Sequence, residues 1–505
     1  MVNKDIFEKE IEKRAKKRLS FSDIEGKIDY EKFEKPSAKP KSLWVKIGIP
    51  VGSLVAVGVV ALSLYEGGVF PLSGPSSEAL RASRLVAPTT EKVLTSPKRE
   101  MSETTYASYR TFARNFVALA FDNSIKTNGE RSLGVSIPDA YMCFALAAIT
   151  STSEAEGDFL SFMGLNGESE LKEAASEVVS SLCTLKEEEN GDLSGGYNLN
   201  SLWFNPKKVN LLPKDEDLYS LLGRVFDASI YNEALTSDSG NAYLASEGLK
   251  GFPTPRLALK DEDPLASAAM SVYYCVDGFA EKENLKSQYD SGTHKMAYFE
   301  GGVERDVDYI ADVSVDHKVY EGDGFTMAKM RIRNLDMSYY LPDEEEGLPS
   351  GILGAALSGS YEPMSYVDED TGEPSSKYEV SILAPYFKLE NDISLDGEAL
   401  AKAFPNATSR GLNEKMAQGI IGPIRLSYLI QDSLMSFDYN GFHSCSATIV
   451  GGEPGAPTPP GKPYDFSLSH PYLFSVEQPF VKVGSSSVSV PLTIGEIVDP
   501  GYAGA

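Results

Sequence analysis

Residues 47–65, IGIPVGSLVAVGVVALSLY, run for nineteen positions without a charge. At about 1.5 Å per residue, a helix of that length nearly crosses a hydrocarbon core of roughly 30 Å. Leu43, Trp44 and Val45 lengthen the run, and Trp44 and Lys46 on one side and Tyr65 on the other suit the two membrane interfaces. A segment apolar on every face is not an ordinary surface helix, and the long polar lead ahead of it is unlike a cleaved signal peptide. The segment is read as a transmembrane helix over residues 43–65. Charge changes sign across it: residues 1–42 carry 12 Lys/Arg against 9 Asp/Glu, a net of +3, and the rest of the chain carries 35 against 64, a net of −29. A basic excess before a span places the amino terminus in the cytoplasm and the acidic bulk outside, as in a single-pass protein of the cell membrane. The expected organisation is therefore a charged cytoplasmic tail at 1–42, the span at 43–65, a stalk at 66–105 and an outer domain at 106–505. Gly67, Gly68, Pro71, Gly74, Pro75 and scattered serines mark the stalk.

Composition narrows what the outer domain does. A hydrophobic fraction of 42% supports a large buried core, and a total charge of −26 argues against a nucleic-acid partner, which needs a basic face. His294, His317, His443 and His470 lie far apart with no H-E-x-x-H pair, and Cys143, Cys183, Cys275 and Cys445 show no C-x-x-C spacing. Neither a metal nor any other cofactor is expected. No G-x-S-x-G elbow and no phosphate-binding glycine loop occurs. Ser169 and Lys172 make the one S-x-x-K, in an amphipathic Glu/Lys stretch that reads as solvated surface. The acidic run at 343–346 reads as a turn. No catalytic constellation emerges, and the chain is not read as an enzyme.

Tyr109, Phe112, Phe116 and Leu119 recur at helical spacing. Pro138 opens a second, more apolar helix, and residues 168–182 give a third, amphipathic one. Past about residue 197 the pattern turns to short alternating runs bounded by Gly, Pro, Asn or Asp, at 201–204, 325–333, 338–341, 378–383, 435–439 and 487–498. Helices early and strands late argue for an α+β domain rather than a doubly wound one. After Met435, Phe437 and Tyr439 come Asn440 and Gly441, then the small residues Ser444, Cys445, Ser446, Ala447 and Thr448, then a Gly/Pro-rich stretch to Pro463. A loop of about two dozen residues between strands is long for a compact domain, and such loops are commonly functional.

Taken in order, these segments resemble a serpin over roughly residues 106–500. Residues 106–121 resemble the family's first helix, and Ser136, Ile137 and Pro138 through Ala148 its buried second helix. Asn200 to Phe204 (Asn-Ser-Leu-Trp-Phe), Asn241-Ala-Tyr-Leu with Gly248 and Gly251, Tyr339-Tyr-Leu-Pro-Asp-Glu344, Pro385-Tyr-Phe387, His470-Pro-Tyr-Leu-Phe474 and Pro491-Leu-Thr-Ile-Gly495 through Pro500 are each similar to a family motif. The resemblance implies three sheets, N-terminal helices and an exposed reactive loop at about 441–467. In the family the loop is bait for a serine (or cysteine) protease, and the cleaved loop inserts as a new strand in the main sheet before the acyl-enzyme hydrolyses. Implied partners are a target protease and the membrane, and the implied state is a monomer.

Insertion requires a hinge of small inward side chains and backbone donors. On the resemblance the hinge is Gly441, Phe442, Ser444, Cys445, Ser446, Ala447 and Thr448, with Phe442 where the family prefers Thr or Ser. A ring forced between packed strands is overpacking, worth roughly 1–3 kcal/mol or more. Pro454, Pro457, Pro459, Pro460 and Pro463 each remove a ladder donor. Tyr439, Gln431, Val272, Ala280, Ala140 and Cys143 also depart from the residues expected around the opening sheet. Counting forward from Gly441 puts the bait bond at Gly455–Ala456, which suits an elastase- or subtilisin-like enzyme; counting back from Leu468 puts it at Pro460, Gly461 and Lys462. A non-inhibitory serpin-fold module, used for binding or architecture, is the alternative reading.

Overall fold

The computed structural model describes residues 77–500, except 89–98, 128–131, 188–192, 249–256, 278–294, 344–351, 368–373, 445–461 and a few shorter stretches. The expected membrane span at 43–65 and the cytoplasmic tail lie outside the described residues. Among those described, no helix is long and apolar enough to cross a membrane.

The first elements correct the expected stalk. Helix α1 (Ser77–Ser83) leads into strand β1 (Arg84–Val86), and a second short strand lies at Glu100–Met101. Leu80 is buried, Arg84 pairs with Glu247 at 3.2 Å, and Met101 is buried in the core. A three-residue strand is too short to leave a periodicity in sequence, so Gly and Pro content dominated the reading of this region.

Four helices follow: α2 (Glu103–Thr127), α3 (Ile137–Thr150), α4 (Ser153–Met163) and α5 (Glu168–Leu182). Tyr109, Phe112 and Phe116 of α2 are buried, as their spacing predicts. Twelve of the fourteen residues of α3 are buried, so it is an interior helix, with Pro138 in its first turn. Phe144 of α3 meets Phe112 at 5.1 Å, Phe159 at 5.8 Å and Phe404 at 5.4 Å, in the edge-on contacts that aromatic quadrupoles favour.

Three larger sheets complete the α+β architecture. The main one contains β1, β3 (Leu193–Phe204), β4 (Ala228–Tyr231), β5 (Ser267–Asp277), β6 (Phe387–Leu395), β7 (Leu429–Asp438) and β8 (Gly441–Ser444). Their spatial order is β1-β4-β3-β5-β8-β7-β6. The helix α6 (Ser237–Glu247), closed at its start by a Thr236/Ser239 capping box, lies over the outer face. Its Tyr243 and Leu244 pack with Trp203, Tyr231, Val272 and Tyr274. A second eight-stranded sheet, formed by β2 (Leu133–Ser136), β10 (Tyr472–Val483), β11 (Ser486–Ile497) and others, lies behind the main sheet, and the largest core cluster fills the space between. A four-stranded sheet carries β9 (Lys462–Ser467) at its edge, parallel to Tyr378–Pro385. The strands expected from alternation at 201–204, 325–333, 338–341, 378–383 and 487–498 coincide with or fall within observed strands to within a residue.

Candidate functional site

Among the described residues, the main sheet is only partly closed between β5 and β7, leaving a seam. Strand β8 is antiparallel to both β5 and β7, pairing Phe442 with Asp277 and with Phe437. Its four residues fill only one end of the space between those strands. Below it β5 and β7 have no pairing among the described residues, and residues 267–273 of β5 face the start of β7 across a cavity of about 190 Å³. Leu257, Leu259 and Leu265 line it on the outer side; Ser136, Asp139 and Cys143 line it on the inner side. Two facing strand edges present rows of backbone N–H and C=O groups, which is a template for a further strand.

Phe442 shows why β8 seats where it does. Its side chain is fully buried and points inward as expected, yet no overpacking results. The ring enters the space behind the sheet, 6.4 Å from Phe474 of β10, beside Phe437 and Phe387. Phe387 and Phe474 are themselves 4.8 Å apart. The cost expected from a ring between strands therefore does not arise, because the room lies beneath the strands.

The inner floor of the seam is polar. Gln431 of β7 accepts from Ser136 N at 3.1 Å through Oε1, and its Nε2 donates to Ser136 O at 2.7 Å and to Asp139 Oδ2 at 3.2 Å. Ser433 Oγ donates to Gly134 O at 3.1 Å. Together they pin β7 to β2 and to the first turn of α3. Ser136 Oγ and Asp139 Oδ1 are both buried, side by side at the start of α3. Burial pushes the Asp139 carboxyl up to about 6, against the opposing pull of the Ser136 and Gln431 side chains and the first amides of α3. Burial, and then the Asp139 charge, push the Cys143 thiol up to about 12, so it stays protonated and unreactive. Sequence reasoning missed Asp139 as a site residue. The signal was present, since it is the one charge in an otherwise apolar helix.

The other expected site residues are distributed as follows. Gly441, Phe442 and Ser444 lie in β8. Cys445, Ser446, Ala447, Thr448, Gly455, Ala456, Pro460 and Gly461 lie outside the described residues, as do Tyr439 and Ala280. Lys462 does not belong to a free loop. It opens β9, opposite Tyr378, with its ammonium 5.0 Å from the Tyr366 ring centroid. Residues 462–467, expected in the loop, thus form a paired strand, to which their apolar alternation belongs. Val272 and Ala140 are buried, and Cys143 Sγ donates to Ala269 O at 3.4 Å. Lys172 pairs with Glu168 at 2.6 Å on the surface. No cluster of three or more metal-ligating side chains occurs among the described residues.

No family model matches the sequence, and none of the curated proteins matches it. Solved structures do. A serpin of Arabidopsis in its native stressed conformation is similar with a TM-score of 0.58 and 18% identity, covering 79% of this chain and 99% of that one. The thermophilic serpin Tengpin in its native state gives 0.57 and 15%, covering 82% and 97%. A highly specific serpin of the insect Tenebrio molitor gives 0.54 and 15%, covering 77% and 97%. The chain has the serpin fold.

Proposed function

We propose that this protein is a serpin-type inhibitor of serine (or cysteine) endopeptidases, acting by loop cleavage and insertion rather than as an enzyme. The observation that carries the reading is the open seam with β8 already seated at one end. Continuing the β8 register pairs Cys445 with Tyr274 and Leu434, and carries the ladder to Gly452 opposite Ser267, the first residue of β5. Residues 445–452 contain no proline. Pro454 and the prolines after it fall past the end of the seam, where no ladder donor is needed. The later positions in step with Phe442 are Ser444, Ser446, Thr448, Val450 and Gly452, none larger than Val. The two features that favoured a non-inhibitory module, Phe442 and the prolines, therefore do not obstruct insertion.

The same register favours Gly455–Ala456 as the bait bond. Cleavage there leaves a free strand end just past the seam, whereas Lys462 is already tied into β9. We further propose that the inhibitor stands on the outer face of the cell membrane, held by the span at 43–65, with a basic cytoplasmic lead. The test is to mix the protein with elastase- and subtilisin-like proteases, read a denaturing gel for a covalent band, and melt the protein before and after loop cleavage. A gel-stable complex with a large rise in melting temperature supports suicide trapping. Clean cleavage with an unchanged melt refutes it and leaves a scaffold.

A further inference from the structure

We propose that the turn from Gly419 to Gly422, with Leu212 beside it, is a lipid-contacting foot, and that its occupant is the outer leaflet of the membrane holding the chain. The inference rests on the anchored reading and adds a contact surface to it. Six large apolar side chains are exposed among the described residues, and three of them fall at this one place: Leu212, Ile420 and Ile421, at 37%, 52% and 100% exposure. Lone exposed apolar residues need no explanation, but a cluster at a projecting turn does.

The turn is built to hold them out. A short strand at Val209–Leu211 pairs with Ala417–Gly419. Ile420 N donates to Lys208 O at 2.9 Å, and Leu212 N donates to Met416 O at 2.9 Å. The chain then reverses between two glycines. A Cβ on Gly419 would meet Gly422 O at 2.0 Å, so the reversal is tighter than any other residue allows. Turns usually carry Gly, Pro, Asn, Asp or Ser; this one presents two isoleucines between its glycines.

The chemistry favours lipid. All three side chains are aliphatic, and they project instead of lining a groove. A protein partner is ordinarily gripped through aromatic or arginine anchors seated in pockets, whereas aliphatic groups on a projecting tip suit the boundary between headgroups and acyl chains. Lys208 is held by Asp263, and Lys214 by Glu216 at 2.9 Å. Exposed Lys207 can lay its stem along the apolar surface and set its ammonium among lipid phosphates.

The place in the fold agrees. β3 ends at Phe204, just ahead of this hairpin, and its neighbour β4 ends at Tyr231. Asn232 N donates to Ser83 O at 3.0 Å, and Leu80 packs with Trp203 and Tyr231. The first described helix therefore stands at the same end of the main sheet as the turn. Eleven residues, 66–76, join the expected span to Ser77, a reach of at most about 40 Å. From this end β5 runs from Ser267 to Asp277, opposite Phe442, a length of about 35 Å. A foot in the leaflet thus holds the loop-bearing end away from the bilayer.

The test places the full chain in vesicles of phosphatidylcholine with a minor share of phosphatidylglycerol, part of the lipid carrying a nitroxide on its acyl chain. The two tryptophans are Trp44, in the expected span, and Trp203, which is buried. Quenching in the wild type therefore reads the span. Ile421→Trp in a Trp44→Phe background reads the foot, and Phe480→Trp in the same background is the control, since Phe480 is exposed on another sheet. Ile421→Trp is expected to lose emission to the nitroxide where Phe480→Trp keeps it. Adding Ile420→Ser is expected to lower the ratio of lipid-bound to free tip about tenfold and to restore emission. If Ile421→Trp is quenched no more than Phe480→Trp while Trp44 is quenched in the wild type, the foot is refuted and the anchored reading stands. If neither Trp44 nor the tryptophan at 421 is quenched, both fail.

Discussion

A proline placed at two nearby loop positions tests the register directly. The ladder projected from β8 covers residues 445–452, with Ser446 between Tyr273 and Ser433 and Glu453 one step beyond the end. Ser446→Pro removes one N–H from the inserted strand. It forfeits about 1 kcal/mol of net hydrogen bond and leaves a buried carbonyl unmet at about 1–3 kcal/mol, so the total is roughly 3 kcal/mol. Felt fully at the transition state for insertion, that slows the step by about 150-fold. Insertion competes with hydrolysis of the acyl-enzyme, so such a slowing diverts nearly every encounter to cleavage. Glu453→Pro breaks no projected pairing and is expected to inhibit like the wild type. The assay is the ratio of covalent complex to cleaved chain on a denaturing gel, with the number of inhibitor molecules consumed per protease inactivated. If both prolines are equally harmful, or if Ser446→Pro still traps protease at the wild-type ratio, the register is wrong and the argument from the seam's length fails.

Other predictions follow from the same contacts. Phe442→Ala deletes a fully buried ring and is expected to lower the stability of the uncleaved protein by about 3 kcal/mol, read in denaturant; a stability gain would mean the ring is strained after all. A chain begun at residue 99 loses α1 and β1, exposes Trp203 and Tyr231 beside the buried Leu80, and should melt at least about 5 °C lower than one begun at residue 72. Equal melting would restore the stalk reading. The Asp139 carboxyl is raised to about 6, so the uncleaved fold binds an extra proton at low pH. Its stability contribution is present below about pH 4 and lost as pH rises through 6, a cost of roughly 3 kcal/mol at neutrality. The difference in unfolding free energy between wild type and Asp139→Asn should therefore grow in favour of the variant from pH 4 to pH 7, and a constant difference would rule the cost out.

Local signals were legible and the seam was not. The stripe Tyr109, Phe112, Phe116 and the apolar run behind Pro138 announce helices because helical burial repeats within one segment. Alternation announced most of the strands for the same reason. The seam is a property of which strands become neighbours: β5 and β7 are more than 150 residues apart, and no periodicity in either says that the space between them is only partly filled. Phe442 was misjudged because its side chain's room comes from Phe387, Phe437 and Phe474, on three other strands. Asp139 was readable as an anomaly in an apolar helix, but only the position of Gln431 shows what it faces.

Phe442 and the prolines look like two defects in a loop that, on the proposed inhibitor reading, must become a strand, and on that reading together they define how far it goes. A ring anchored among three others resists sliding, since a one-residue slip would turn it to the outer face, against α6 and the leucines over the seam. With Phe442 held opposite Asp277 and Phe437, every later residue has one partner on each side, and the prolines begin two residues past the last of them. A hinge of small residues only would insert as readily, but nothing in it would choose among registers, and a slip of two would bring Pro454 into the ladder. The anchor gives up smallness at one position, where the core beneath has space, and gains a single length of insertion. On that reading, Gly455 would stay outside the sheet.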